Sequence, residues 1–147
     1  DFNESKQYEE KFAEWLRKHG CKDVKTSQDY VEGEVPTDGF DVSTLNETYE
    51  IKYDRYLATT HNICIETFSH VDGKSLGWFF TTKAKWLIVF YNEHEFVGIS
   101  MEDLRDTWYD NYAVWRIQKV KQTWGTTVCW LTNITNVPNL KWGDVRD

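Results

Sequence analysis

The sequence predicts a single α/β domain with an α-β-β-β-α-β core, in which a central mixed β-sheet is flanked by helices. Three observations predict it. The chain opens on an amphipathic helical period, short β-branched and aromatic runs follow, and helical stretches then alternate with an apolar strand. No repeat, low-complexity tract or linker divides the 147 residues, which are enough for one hydrophobic core. The core is expected over about residues 4–91, with residues 92–147 as an extension that adds strands and a helix.

The elements follow in order. Tyr8, Phe12, Trp15 and Leu16 fall at i, i+4, i+7 and i+8, which predicts a helix over Asn3 to His19. Asn3 is its expected cap, and His19-Gly20 marks its end. Residues 21–39 read as a connection with a short strand near Val24, punctuated by Gly33, Pro36 and Gly39. FDVSTL (40–45) and TYEIKY (48–53) read as the two strands of a hairpin, and NICIETF (62–68) as a third strand. His70 to Ser75 is a turn around Gly73, and Leu76 to Lys85 is expected as a short helix. WLIVFY (86–91) is a buried strand, too short to span a membrane. A polar turn at 92–95 leads into the strand FVGIS. Ser100 then caps a helix from Met101 to about Asn111, with Glu102 and Asp103 in its first turn. VWRIQKV and TTVCWLTNI are expected to add strands.

Composition narrows the class. Three widely spaced cysteines, Cys21, Cys64 and Cys129, suit a reducing cytosol and neither a disulfide framework nor a zinc site. The polar, acidic N-terminal stretch does not read as a secretory signal, so a cytoplasmic protein with no membrane partner is expected. A net charge of −7 weighs against a nucleic-acid partner unless basic residues are locally grouped. Lys83 with Lys85, and Arg116 with Lys119 and Lys121, are the candidates for such groups.

The hairpin carries the chemistry. Side chains alternate along a strand, so Glu50 and Lys52 share a face, roughly 7 Å apart. A two-residue turn at Leu45-Asn46 pairs Asp41 with Glu50. A turn at Asn46-Glu47 pairs Asp41 with Lys52 instead. A slip of one residue carries Asp41 to the other face. The acid-x-Lys spacing alone is cheap, since the chain has five such triplets. Only Glu50/Lys52 lies on a strand that follows an acid-bearing strand. Mg²⁺ or Mn²⁺ suits such a set, because hard cations take carboxylate oxygens and keep several waters. Asp41 and Glu50 are the expected ligands, with the Ile51 carbonyl as a further one. Lys52 is placed to orient a water or to offset charge on a phosphorane-like transition state. The plain alternative is a solvated strand face with cross-strand ion pairs.

With Glu9 on the first helix, Asp41 on one strand, Glu50-Ile51-Lys52 on the next and a helix-then-strand crossover after them, the chain resembles the PD-(D/E)XK nuclease superfamily. The resemblance covers roughly residues 4–91. Archaeal junction resolvases of this superfamily carry a helical glutamate at the spacing that Glu9 shows to Phe12, Leu16 and Gly20; Glu10 fits less well. The tract from EIKYD through NICIE to Thr-Thr-Lys-Ala is similar to small phage-borne nucleases, which makes Glu66 an accessory acid. The chain departs from the family in lacking the Pro-Asp dipeptide, since Asp41 follows Phe40; Asp38, near Pro36, is a rival first acid.

The resemblance implies a restriction-endonuclease-like fold and a metal-dependent DNA endonuclease, homing- or restriction-like or structure-specific, with Asp41, Glu50, Lys52 and Glu9 catalytic. It further implies a homodimer or higher oligomer where both strands are cut, acting in a bacterial or phage-infected cell. Two other readings stay open: an aromatic-rich, non-enzymatic binding module around residues such as Trp108, Tyr109, Tyr112 and Trp115, and a degenerate nuclease fold that only binds nucleic acid.

Overall fold

The opening helix, α1 (Phe2–Lys18), exists because its apolar residues make one stripe. Tyr8, Phe12, Ala13 and Leu16 are all buried on that stripe. Asn3 lies within the helix and does not cap it. The end is set at Gly20, whose φ of +87° suits a residue without a Cβ. The Gly20 N–H donates to Arg17 O and the Cys21 N–H to Leu16 O, which closes the helix as a Schellman motif. The computed structural model describes residues 2–27, 29, 39–71 and 74–147. Asp38, Pro36, Gly33 and Gly73 lie outside the described residues.

After α1 come β1 (Lys25–Thr26), β2 (Val42–Ser43) and β3 (Thr48–Tyr53). A single-turn helix α2 (Leu57–Thr60), β4 (Asn62–His70), β5 (Ser75–Leu76) and a second single-turn helix α3 (Trp78–Thr81) follow. The chain continues through β6 (Trp86–Phe90), β7 (Glu95–Ser100), α4 (Met101–Asn111), β8 (Arg116–Gln122), β9 (Gly125–Asn133) and β10 (Lys141–Asp144). Ser100 caps α4 as expected, its hydroxyl accepting from the Asp103 N–H at 3.2 Å. The helix expected over 76–85 shrinks to α3, because Thr82 leaves the helical region for extended backbone.

Among the described residues the strands form a six-stranded sheet, β1-β2-β3-β6-β7-β10, and a four-stranded sheet, β5-β4-β9-β8. The larger sheet is mixed: β3 and β6 run parallel, and the other pairs are antiparallel. Its central strand β6 is buried on both faces, as an unbroken apolar run should be. Ile88 and Phe90 join α1, Val42, Ile51 and Phe96 in one core. Leu87 and Val89 join Ile63, Ile65, Phe79, Val97, Ile99, Met101 and Leu104 in the other. One face of the sheet is therefore covered by α1, and the opposite face by β4, α3 and α4.

The third expected strand does not enter the central sheet. β4 instead pairs with β5 and β9 in the second sheet. Its pattern explains this. Ile63, Ile65 and Thr67 are buried, but Cys64 and Glu66 between them are only half-buried, so β4 has one wetter face. A strand of that kind does not fit between two dry layers.

Candidate functional site

The β2–β3 turn falls at Leu45-Asn46, the first of the two expected turns, but the strand pairing it sets stops short of Asp41. Val42 lies opposite Tyr49, and Ser43 opposite Thr48. The turn is held by the Thr44 N–H donating to Glu47 O at 2.8 Å, with Leu45 and Asn46 at its tip. The Thr44 hydroxyl accepts from the Asn46 and Glu47 N–H groups as well.

Asp41 itself is not a strand residue, contrary to the expected 40–45 strand. Its N–H donates to Tyr49 O at 2.9 Å, and its carboxylate Oδ2 accepts from the Ile51 N–H, also at 2.9 Å. β2 pairs no further along β3 than Tyr49, so the Asp41 side chain takes the backbone donor that a longer strand would have used. N–H and C=O of one strand residue point to the same side, which turns the Ile51 carbonyl toward that same edge.

This edge collects the acids. Glu9 and Glu50 are only 7% and 8% exposed. Ile51 points toward α1, so Glu50, one residue earlier, points to the opposite face of the sheet. Asp41 lies close enough to both for its charge to act on Glu9 and on Glu50. The carboxylates thus gather at the edge of β3 beyond Tyr49, which no described strand pairs on that side, and do not line up on one face of the hairpin. Glu9 Oε2 also accepts from the Ser27 hydroxyl at 3.0 Å. Glu10 is turned away and accepts from Thr26 Oγ1 at 3.0 Å.

The electrostatics follow from burial and crowding. Burial first, then the Asp41 charge, raise Glu9 from 4.5 to about 7, against the pull of Ser27 and Lys6. The same two causes raise Glu50 from 4.5 to about 7, against Lys52 and the Thr82 hydroxyl. Lys52 Nζ lies 3.5 Å from Glu50 Oε2 and 5.5 Å from the centre of the Trp78 ring. Glu66 stands outside the carboxylate cluster on β4. Burial raises its pKa and Lys52 draws it down, so Lys52 sits within the field of two acids.

Among the described residues, no three His, Cys, Asp or Glu side chains are grouped so that they could hold a metal ion together. An open carboxylate edge suits a different kind of site. Mg²⁺ binds through one or two carboxylates and keeps its waters. Crowded acids with raised pKa values resist taking up their full negative charge, and a divalent cation would offset that repulsion. Asp41 and Glu50 fit as its holders, with the Ile51 carbonyl on the same edge.

The basic candidates are not brought together. Lys83 and Lys85 border a depression with Glu47, Arg105 and Tyr109. Arg116 lines a different groove, beside Lys52. Lys119 and Lys121 alternate with Arg116 and Gln118 along β8 and so face the other way. Sequence reasoning missed Ser27, Thr82 and Trp78, each of which touches a candidate residue. Nothing in their local sequence marks them, since all three contacts are made across the fold. No family model, curated protein or solved structure matches this chain.

Proposed function

We propose that this chain is a Mg²⁺- or Mn²⁺-dependent DNA endonuclease of the PD-(D/E)XK type. One observation carries the reading: Glu9, Asp41 and Glu50 converge beside the edge of β3, with Lys52 Nζ 3.5 Å from Glu50. An aromatic-rich binding module needs no such convergence of half-neutralised acids. A fold that had lost catalysis would have no reason to keep the lysine beside them.

A divalent cation, when bound, lowers the pKa of a water and offsets phosphodiester charge. Asp41 and Glu50 are the side chains that would hold it, and the Ile51 carbonyl would add an oxygen. Deprotonation of Glu50 and Glu9 prepares the site, because a protonated carboxyl is a poor ligand. Lys52 orients the attacking water by hydrogen bonding and stabilises the charge that grows on the non-bridging oxygens. The water oxygen forms the new P–O bond and gives up its proton to solvent, as the bond to the leaving sugar oxygen breaks and that oxygen takes up a proton from solvent. Glu9, ionised in the prepared site, keeps Asp41 in place.

The natural partner is DNA, and cutting both strands of a duplex calls for a dimer or higher oligomer with two such sites. A homing, restriction or recombination role and a cytoplasmic setting belong to the same proposal. Among the described residues, no helix is long and apolar enough to cross a membrane.

Plasmid cleavage with Mg²⁺ tests the reading. Glu50→Gln and Lys52→Ala are each expected to lower the rate at least about 10²-fold, the scale of losing a general acid–base or electrostatic contribution. Both variants should remain folded by circular dichroism. Cleavage at the wild-type rate in either variant sinks the assignment.

A further inference from the structure

A groove of about 580 Å³ opens directly beside Lys52, between the end of β3 and the second sheet. It lies within the size range of small-ligand sites, ~300–1,000 Å³. Its lining carries two cations, Lys52 and Arg116, two acids, Asp54 and Glu66, and the rings of Tyr53, Tyr56 and Trp78.

Lys52 joins groove and acid edge. Its Nζ touches Glu50 on one side and covers Trp78 on the other. Trp78 is held there by Gly77. A Cβ on Gly77 would lie 2.3 Å from Glu66 O, so only glycine lets α3 press this closely on β4. The Gly77 N–H donates to Thr67 O at 2.8 Å and fixes that approach. Arg116 starts β8 on the groove side, is exposed, and joins none of the ion pairs among the described residues. Tyr56 is 59% exposed, with the Arg55 guanidinium over its ring.

A cation outside the ion pairs of the described residues, in one groove with an exposed ring, is the pairing that recognises an unstacked nucleotide: phosphate to the guanidinium, base or sugar to the ring. A base inside a duplex has both faces covered by its neighbours and cannot offer one to Tyr56. Resting on the nuclease reading above, the geometry points to DNA with an unpaired nucleotide beside the scissile phosphate as the substrate. The groove receives that nucleotide, Arg116 binds its phosphate, and Tyr56 stacks on it.

The test is binding without cleavage. Fluorescence anisotropy in a chelating buffer would compare a short labelled oligothymidylate with a blunt-ended two-strand DNA duplex. The wild type is expected to bind the single strand about tenfold more tightly. Arg116→Ala and Tyr56→Ala should each lose about five- to tenfold on the single strand and leave duplex binding unchanged, and Tyr56→Phe should keep wild-type affinity. Equal affinity for the two DNAs, no single-strand binding, or single-strand affinity unchanged by Arg116→Ala overturns the proposal. The two readings fail separately. Groove-dependent binding without any Mg²⁺-dependent cleavage removes the nuclease assignment alone. Cleavage that depends on Glu50 but ignores both groove variants removes the groove alone.

Discussion

At the scale of single residues, the acids set stability against activity. Glu9 and Glu50 sit at about 7 in the folded protein and at an ordinary 4.5 when solvated. A raised carboxylate pKa means that the native state keeps protons which the unfolded chain has released. Between about 4.5 and 7 the native state binds more protons, so stability falls as pH rises through that window and stays low above it. In a chelating buffer, the wild type should therefore lose roughly 1–3 kcal/mol between pH 5 and pH 8. Glu50→Gln keeps the shape and removes one charge. It should flatten that slope and raise Tm at pH 8 by a few degrees while abolishing cleavage. Thermal melts across this pH range check the expectation, and parallel curves for wild type and Glu50→Gln would contradict it.

At the scale of elements, close backbone approach positions the lysine end of the site. Gly77→Ala forces a Cβ against the Glu66 carbonyl, and backbone cannot yield as a flexible side chain can. A cost of about 1–3 kcal/mol follows, the range of overpacked cores, together with a shift of Trp78 away from Lys52. Urea unfolding measures the first and tryptophan emission the second; an unchanged midpoint and spectrum would refute both. The elements also show what the sequence made legible. The α1 stripe, the buried β6 run and the Ser100 cap were readable, because each depends on periodicity or on one local hydrogen bond. The Leu45-Asn46 turn was one of two weighed, and it is the one the chain forms, but the strand pairing it sets stops short of Asp41. Less readable was the fate of β4. Its partner β9 lies about sixty residues away, and no local pattern names a long-range partner. Glu9 was placed near the site through a resemblance in spacing, whereas Ser27 and Thr82 reach it only through tertiary contacts. The shortness of β2 was hidden too. Asp41 was expected to face Glu50 as a strand neighbour, yet it reaches the acids as a side-chain cap on the edge of β3 beyond Tyr49.

At the scale of the whole molecule, a net charge of −7 must be reconciled with a polyanionic partner. Three of the acids lie together at one edge, where a divalent cation would cancel most of their charge. Metal binding and folding should then be linked. A ligand that binds only the folded chain stabilises it by about 2.7 kcal/mol at one hundred times its Kd. Mn²⁺ or Mg²⁺ should therefore raise Tm by several degrees at pH 8 and by much less at pH 6, where Glu9 and Glu50 hold protons that the cation must displace. The sign is opposite to that of the metal-free protein, which loses stability as pH rises. Asp41→Asn removes the carboxylate common to both glutamates and should erase the metal-dependent gain, whereas Glu10→Gln, whose side chain is turned to Thr26, should leave it intact. Differential scanning fluorimetry over a Mn²⁺ titration at both pH values measures all of this. An Asp41→Asn protein that gains as much as the wild type would place the cation elsewhere on the chain.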